Sequence, residues 1–344
     1  MIEIDGSFGE GGGQILRTSL ALSVLTEIPI HIYNIRKNRP KEGLSPQHLM
    51  TISAIEELTG SEVSGKSIGS TEIRFTPKKE FKRRVTINIG TAGSITLLLQ
   101  SIMIFLPFLE NKTTVGVYGG TNVPWSPQID FLKEITLPTL EKMGYKAELT
   151  KLRRGYYPEG GGYAEIEVSP IKKLRGIKID KHEKTGQIEG ISYSTNLPEN
   201  VTERQKKSAR GKLFKEDITP NIKIQAEKDS SDRIGSGIFF FSNDGKSILG
   251  DGSLGARGKR AELVGEEGAI NFLEKYSKGF DFHLSDQIVP YMALAKDNSS
   301  IFTKKTSHLE TNISILEKFY DIKFLWKDDY LEVEGVGFEN IYID

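Results

Sequence analysis

The sequence predicts a mixed α/β (α+β) protein in which a βαβαββ unit occurs three times and a smaller α/β domain is inserted in the last copy. The glycine at the start of the first predicted helix, Gly13, has a counterpart at Gly93, 80 positions later. The Ser-Pro-Gln that opens the next helix at Ser45 returns at Ser126, 81 positions later. Matching offsets at two places indicate an internal repeat. From Ser126 to Ser307 the spacing is 181 positions, so about 100 residues have been added before the third copy ends.

Apolar periodicity and cap residues place the elements of each unit. The first unit is predicted to contain strands at 2–5, 28–35, 61–65 and 71–77 and helices at 13–26 and 46–59. The second has strands at 84–90 and 113–118 and helices at 95–106 and from Ser126-Pro127-Gln128 to about 143. The third has helices at 284–295 and 308–319 and strands near 301–304, 323–326 and 330–333.

The surplus residues form a segment with element signals of its own, namely strands at 187–194, 221–226 and 237–241 and helices at 198–214 and 261–276. We therefore predict a large domain formed by 1–176 and 278–344, with an inserted α/β domain at 177–277. Duplication that only stabilises the fold is an alternative explanation of the repeat. Stable packing, however, does not need glycine-flanked acids at helix starts.

Composition excludes several classes of protein. The 46 Lys and Arg residues equal the 46 Asp and Glu residues, so no global positive field attracts nucleic acid. Cysteine is absent, which excludes thiolate nucleophiles, disulfides and Cys-based zinc sites. No apolar stretch is long enough for a membrane span, and no signal peptide precedes the first strand, so we expect a cytoplasmic protein without a membrane partner.

The opening loop FGEGGGQILR, residues 8–17, is a candidate anion site. It fits neither a Walker A loop nor the dinucleotide fingerprint. A glycine loop that leads into a helix presents backbone N–H groups to an anion. Glu10 would repel a lone phosphate unless a divalent cation lies between them, and Gln14 and Arg17 share one helix face. A tight turn with ordinary surface residues is the alternative.

A basic loop follows the second predicted strand. Arg36, Lys37, Arg39 and Lys41 fall within six positions, and Pro40 and Gly43 restrict the loop. Guanidinium groups bind a terminal phosphate through two parallel hydrogen bonds, so the loop suits such a ligand. A solvated loop is the alternative.

Two of the five histidines lie at predicted helix starts of the third unit, His283 in the first helix and His308 in the second. The helix dipole disfavours imidazolium there and keeps the ring nucleophilic near neutral pH. A structural histidine is the alternative for each, while His48 is expected to line the site.

Five segments, 8–17, 35–48, 154–162, 283–287 and 307–312, together resemble the RNA 3'-terminal phosphate cyclases over essentially the whole chain. Ala164, just after the third segment, departs from the larger aliphatic residue that is usual in the family. The resemblance implies three βαβαββ repeats, as in the enolpyruvyl transferases and the C-terminal domain of a translation initiation factor, with a smaller inserted domain.

The resemblance also implies an ATP-dependent ligase that acts on an RNA with a 3'-terminal phosphate and needs a divalent metal, magnesium or manganese. A histidine would attack the α-phosphorus of ATP and form histidyl-AMP. AMP would pass to the RNA phosphate, and the vicinal 2'-OH would displace AMP, leaving a 2',3'-cyclic phosphate. Covalent catalysis of this kind divides one hard displacement into easier ones.

The family's functional residues match positions of this chain. The nucleophile falls on His308, and Glu10 and Asp286 match acidic positions at the metal. The ATP site matches Gln100, His283, Leu284, Ser285, Asp286 and Gln287, and the phosphate-binding set matches Gln14, Arg17, Arg36, Arg39 and Gln47. Two alternatives stay open: a non-catalytic RNA-processing or ribosome-assembly factor, and enolpyruvyl transfer on the same fold. The sequence leaves the oligomeric state open, a homodimer or larger assembly included.

Overall fold

A computed structural model of the protein describes residues 1–9 and 12–343. The first unit contains β1 (Ile2–Asp5), α1 (Gly13–Thr26), β2 (Ile30–Tyr33), α2 (Pro46–Thr59), β3 (Glu62–Ser64) and β4 (Ile73–Thr76). The second contains β5 (Arg84–Asn88), α3 (Ile95–Ile102), β6 (Thr113–Gly119), α4 (Ile129–Phe131), a π-helical turn (Leu132–Thr136), α5 (Leu137–Lys142), β7 (Lys146–Arg153) and β8 (Gly162–Ser169).

The third unit begins with β9 (Lys178–Ile179) and is interrupted by the insert. The insert contains β10 (Ile188–Thr195), α6 (Asn200–Phe214), β11 (Asn221–Glu227), β12 (Gly235–Asn243), β13 (Ile248–Leu254) and α7 (Ala261–Lys278). The third unit then resumes with α8 (Phe282–Leu294), β14 (Asn298–Phe302), α9 (Ser307–Phe319), β15 (Leu325–Lys327) and β16 (Tyr330–Glu334).

Sheet pairing confirms the predicted repeat. The strand orders are β1-β2-β4-β3, β5-β6-β8-β7 and β9-β14-β16-β15, so strands occupy equivalent places in all three sheets. In each sheet the first pair is parallel and the other pairs are antiparallel. The pairing of β9 with β14 places 178–179 in the third sheet, although the insert was expected to begin at 177. The division of the chain into domains stays a prediction.

The two largest differences from the expected helix bounds are both in the second unit. Helix α3 ends at Ile102 rather than near 106, and a 3-10 turn follows at Leu106–Phe108. Pro107 explains this, since proline has no N–H to donate and disfavours a helical residue before it. The helix expected to open at Ser126-Pro127 begins at Ile129, with Gln128 as its cap.

Helix α1 lies at the centre of the large apolar core. It is buried over most of its circumference from Ile15 to Val24, as expected for a helix with neighbours on several sides. Those neighbours are α2 of the same unit, α3 of the second unit and α9 of the third. The N-terminus of α1, which follows the opening loop, is therefore brought close to both other units. None of the described helices has the length and apolar character that a membrane crossing requires.

A buried ion pair joins the second unit to the insert. Both guanidinium ends of Arg154, which is 3% exposed, donate to the Asp130 carboxylate at 2.7 Å. Arg154 also donates to Gln225 of the insert at 3.1 Å, and its guanidinium lies 3.8 Å from the Tyr193 ring centroid. Segment 154–162, which carried part of the family resemblance, is thus part of the junction with the insert.

We expect Arg154→Ala to destabilise the protein by about 3–5 kcal/mol, because the substitution leaves the Asp130 carboxylate buried without its partner. Urea unfolding followed by circular dichroism would measure the shift of the transition. Arg204→Ala, which breaks an exposed pair with Glu262 within the insert, is the matched control and should shift it much less. Equal shifts in the two variants would contradict this assignment.

Candidate active site

A cavity of about 840 Å3 lies where the three units and the insert meet. Its volume is in the range typical of ligand sites. The cavity is lined by eight of the residues predicted from the sequence: Gln14, Arg17, Arg39, Gln100, His283, Asp286, Gln287 and His308. Residues separated by almost 300 positions in the chain are thus brought to one surface.

The other predicted residues lie elsewhere. Leu284 and Ser285 are buried in the core, and the Ser285 hydroxyl donates to the Asp281 carbonyl at 3.0 Å. Consecutive helical residues point in different directions, so a match to the whole 283–287 segment cannot separate those that line a cavity from those that pack. Glu10 lies outside the described residues.

Gln47 and Arg36 do not line the cavity. The Gln47 side chain accepts a hydrogen bond from the Ser94 N–H at 2.7 Å and donates to the Ser94 carbonyl at 3.1 Å. It therefore ties the start of α2 to the start of α3. Arg36 donates to the Gly43 carbonyl at 3.1 Å, which holds the basic loop closed.

The N-terminus of α1 forms a cradle for an anion. Gly12 is the N-cap and has no side chain with which to cap the backbone N–H groups of the first turn, an arrangement that suits an anion at this helix start. A Cβ at Gly13 would lie 2.2 Å from Nε2 of His48 and 3.0 Å from Arg17. Glycine is therefore required at 13 by close approach of these two side chains.

His48 is held neutral beside this cradle. Its Nδ1 accepts a hydrogen bond from the Ser45 N–H at 3.2 Å, so in the neutral ring the proton is on Nε2, the atom closest to Gly13. Burial, followed by the positive charges of Arg17 and Arg36, lowers the pKa of His48 to about 3. Burial also lowers the pKa of Arg17, to about 10, which leaves it charged at neutral pH. The cradle thus combines a neutral N–H donor with cations.

His308 lines the cavity as the exposed second residue of α9, next to the N-terminus of α1. Thr306 caps this helix by accepting the Leu309 N–H at 3.0 Å, and the same hydroxyl donates to Asp286 at 2.9 Å. Gln14 donates to the His308 carbonyl at 3.3 Å. These contacts fix the nucleophile candidate and the acidic candidate Asp286 relative to each other and to α1.

A proline in α8 creates the bond that joins these elements. Pro290 has no N–H, so the Asp286 carbonyl four residues earlier loses its usual helical partner. The Asn312 side chain supplies a donor to this carbonyl at 2.7 Å, and it accepts a hydrogen bond from the Thr18 hydroxyl at 2.8 Å. Asn312 thereby links α8, α9 and α1 next to the cavity.

The other end of the cavity is aromatic. The His283 ring lies beside Phe282 and makes an edge contact with Phe131. Burial, with a further contribution from the nearby Lys275 charge, lowers the pKa of His283 to about 4. Gln287 accepts a hydrogen bond from Thr136 in the π-helical turn at 2.9 Å. Such turns are frequent at functional sites.

Sequence reasoning missed a buried lysine below this end of the cavity. Lys275, 1% exposed on α7, donates to Asp281 at 3.0 Å and to the Gly250 carbonyl at 2.9 Å, and it forms an ion pair with Asp251 at 3.1 Å. Asp281 caps α8, so Lys275 ties the insert to the helix that carries His283 and Asp286. Asp251 also lines the cavity. No local pattern marks these residues, since the cluster exists only after α7, β13 and α8 pack together.

No group of three or more His, Cys, Asp or Glu residues that could hold a metal is present within 1–9 and 12–343. Magnesium is commonly held by one or two carboxylates together with substrate phosphates. Asp286 in the cavity is a carboxylate of that kind, so the donor set is compatible with a metal shared with a bound nucleotide.

Asn312→Ala should destabilise the protein by about 1–3 kcal/mol, because it leaves the buried Asp286 carbonyl and the Thr18 hydroxyl without their partner. Thermal unfolding would measure the loss. Pro290→Ala returns an N–H to α8, so the double variant should recover part of the lost stability. An unchanged melting temperature in Asn312→Ala would contradict the linking role.

Stability should fall as the pH is lowered from about 6.5 towards 3. In this window the unfolded chain protonates His48, whose ordinary pKa is 6.5, whereas the folded protein, with a pKa of about 3, does not. The contribution of His48 to the free energy of unfolding is therefore fully present above pH 6.5 and is lost as the pH falls. His48→Gln, which keeps a side-chain acceptor for the Ser45 N–H, should therefore show a flatter dependence of melting temperature on pH between 7 and 4. The wild-type slope retained in this variant would contradict the prediction.

Comparison with known proteins agrees with the resemblance found in the sequence. Residues 8–325 match the family model described as RNA 3'-terminal phosphate cyclase. Proteins named RNA 3'-terminal phosphate cyclase are similar to the chain: those of Pyrococcus abyssi (46% identity, 93% of each chain), Thermococcus kodakarensis (46%, 97% of this chain and 95% of the relative) and Pyrobaculum aerophilum (42%, 98% and 99%). Among solved structures, the enolpyruvyl transferase NikO from Streptomyces tendae aligns with 98% of this chain and 49% of its own, with a TM-score of 0.43 and 8% identity. On the family match and these relatives, the chain belongs to the RNA 3'-terminal phosphate cyclase family.

Proposed function

We propose that the protein converts the 3'-terminal phosphate of an RNA to a 2',3'-cyclic phosphodiester at the cost of one ATP. The observation that carries this proposal is that His308, Asp286 and the cationic cradle at α1 line a single cavity. The names of the relatives support the same activity. The proposed route runs through histidyl-AMP and RNA-adenylate intermediates and releases diphosphate and AMP.

His308 is the proposed nucleophile. A ring nitrogen attacks the α-phosphorus of ATP, a P–N bond forms, and the bond to the diphosphate breaks. The ring is exposed in the cavity, while the bond from Gln14 to its carbonyl and the Thr306 cap hold its backbone in place. The aromatic end, with His283 and Phe131, suits a nucleobase, and the triphosphate is proposed to lie between these rings and the cradle.

The cradle is the proposed binding site for phosphate groups. Arg17, the N–H of His48 and the start of α1 give donors and positive charge for an anion. Arg39 lines the same cavity from the basic loop and is assigned to the RNA 3'-phosphate, which takes AMP from His308. In the last step the vicinal 2'-OH attacks the activated phosphorus, its proton is lost, and AMP leaves.

A divalent metal is part of this proposal, held by Asp286 together with Glu10. Bound there, magnesium or manganese would neutralise charge on the nucleotide phosphates. Asp286 is positioned for this by the Thr306 hydroxyl, which donates to its carboxylate. Removal of the metal with a chelator should therefore prevent formation of the adenylate.

We expect wild-type protein, ATP and magnesium or manganese to make the 3'-phosphate of an oligoribonucleotide resistant to phosphatase, with one AMP and one diphosphate released per end. His308→Ala should reduce this rate on the order of 10³-fold or more, because the covalent route is lost. His31→Ala, a histidine of β2 that does not line the cavity, is the matched control.

An oligonucleotide with a 2'-deoxy terminal residue separates the steps. It lacks the attacking 2'-OH, so it should accumulate the RNA-adenylate without closing a ring. Undiminished cyclisation by His308→Ala, or no reaction of the wild-type protein, would contradict the proposal. The second result would favour a non-catalytic factor of the same superfamily.

A further inference from the structure

A pair of exposed aromatic rings lies at the mouth of the cavity and has no part in the steps above. Trp125 lines the cavity and is nevertheless 91% exposed. Its φ of 64° is in the left-handed region, which is uncommon for a bulky residue. The Tyr157 ring, 61% exposed, lies with its centroid 6.5 Å from that of Trp125 and its plane almost perpendicular.

The segments that carry these rings are firmly anchored. On the Trp125 side, the Thr96 hydroxyl donates to the Pro127 carbonyl at 2.8 Å, and the Ile129 N–H donates to the Thr121 carbonyl at 3.0 Å. On the Tyr157 side, backbone hydrogen bonds join Tyr156 and Gly160 in both directions. The two rings are therefore exposed on segments whose backbone is held in place by hydrogen bonds.

Exposed aromatic side chains are common singly, and most need no explanation. This pair is different because two large exposed rings lie next to each other, and Trp125 has a backbone conformation that is strained for a non-glycine residue. Backbone strain of this kind clusters at binding sites. Burial of the Trp125 ring in the cavity wall would have gained hydrophobic free energy, but the fold directs it to solvent.

Positive charge lies beside the rings. Arg153 is exposed at the end of β7, four residues before Tyr157. Arg233 packs against the same loop, since a Cβ at Gly161 would lie 2.8 Å from its side chain. The Arg233 guanidinium forms an ion pair with the Asp229 carboxylate, which leaves Arg153 as the exposed cation beside the rings. No carboxylate of the described residues forms an ion pair with Arg153.

We propose that Trp125 and Tyr157 form a stacking platform for the unpaired bases that precede the 3'-terminal phosphate, with Arg153 contacting the backbone of the same strand. Exposed rings beside cations are the features by which proteins bind single-stranded nucleic acid without sequence preference. The inference rests on the proposed function, because the platform is useful only if an RNA end enters this cavity. It also explains how a chain of zero net charge holds RNA.

The adenine of ATP is the competing occupant of the platform. The structure favours RNA, since the cavity already has an aromatic end at His283 and Phe131, whereas Trp125 faces solvent at the rim. Arg39, to which the last phosphate is assigned, and Trp125 line the same cavity, and the exposed Trp125 ring is available to the nucleotides that precede this phosphate.

The test compares two readouts in Trp125→Ala, Tyr157→Ala and Arg153→Ala: self-adenylation without RNA, and the KM for a 3'-phosphorylated oligoribonucleotide. We expect self-adenylation to be unchanged. The KM should rise on the order of tenfold in Trp125→Ala, as for loss of one stacked base, and Trp125→Phe should retain most of the affinity. Phe214→Ala and Arg210→Ala, exposed positions on α6, are the matched controls.

An abasic sugar in place of the penultimate nucleotide should weaken RNA binding by the wild-type protein about as much as Trp125→Ala does. The abasic RNA should bind Trp125→Ala little more weakly than it binds the wild-type protein. Reduced self-adenylation in Trp125→Ala with an unchanged KM for RNA would assign the platform to ATP and overturn the inference. No change in either readout would also overturn it.

Failure of the proposed function has a different signature. In that case the wild-type protein neither adenylates itself nor cyclises RNA. Quenching of tryptophan fluorescence by a 3'-phosphorylated oligoribonucleotide then tests the platform without catalysis. Trp125→Phe, which leaves Trp326 as the remaining tryptophan, should lose most of the quenching. Quenching that persists in this variant would overturn the inference.

Discussion

The hydrogen bonds of Asn312 are the constraint on which the arrangement of the site depends. They join the Thr18 hydroxyl of α1 to the Asp286 carbonyl of α8 from a position on α9. Because Pro290 removes the normal partner of that carbonyl, a side chain from another helix has to satisfy it. The first unit is thereby closed on the third, and the cradle at α1 is held next to His308. The helix starts of the first and third units become parts of one site through this contact.

The two ends of the cavity differ in charge. At the α1 end, burial and then the charges of Arg17 and Arg36 lower the pKa of His48 and keep it neutral, so the histidine adds a donor to the cradle without adding a further cation. At the α8 end, the charges of Lys275 and Asp281 pair with each other in a buried cluster, and His283 is kept neutral mainly by burial. Net positive charge is therefore concentrated where phosphate groups are proposed to bind, and the aromatic end is left suitable for a base.

Much of the fold was predictable because helix starts and turns have local signals, such as the proline after Ser45 and the glycines at 13 and 93. The same Ser-Pro-Gln pattern at Ser126 predicted the wrong helix start. The Pro127 carbonyl there accepts a hydrogen bond from Thr96, and the helix begins at Ile129. For the site, motif matching found residues that line the cavity but also included Leu284 and Ser285, which pack in the core. Lys275 and Trp125 could not be predicted, because burial of the first and exposure of the second are set by tertiary packing.

We propose that His308 is the residue that becomes covalently modified in a cavity shared by all three units. Peptide mass spectrometry of the protein after incubation with ATP and a divalent metal tests this role. We expect a single AMP adduct on the peptide that contains His308, attached to its imidazole and labile to acid. An adduct on a different side chain of the cavity, such as His283, would contradict the claim, as would RNA cyclisation by a protein that never carries AMP.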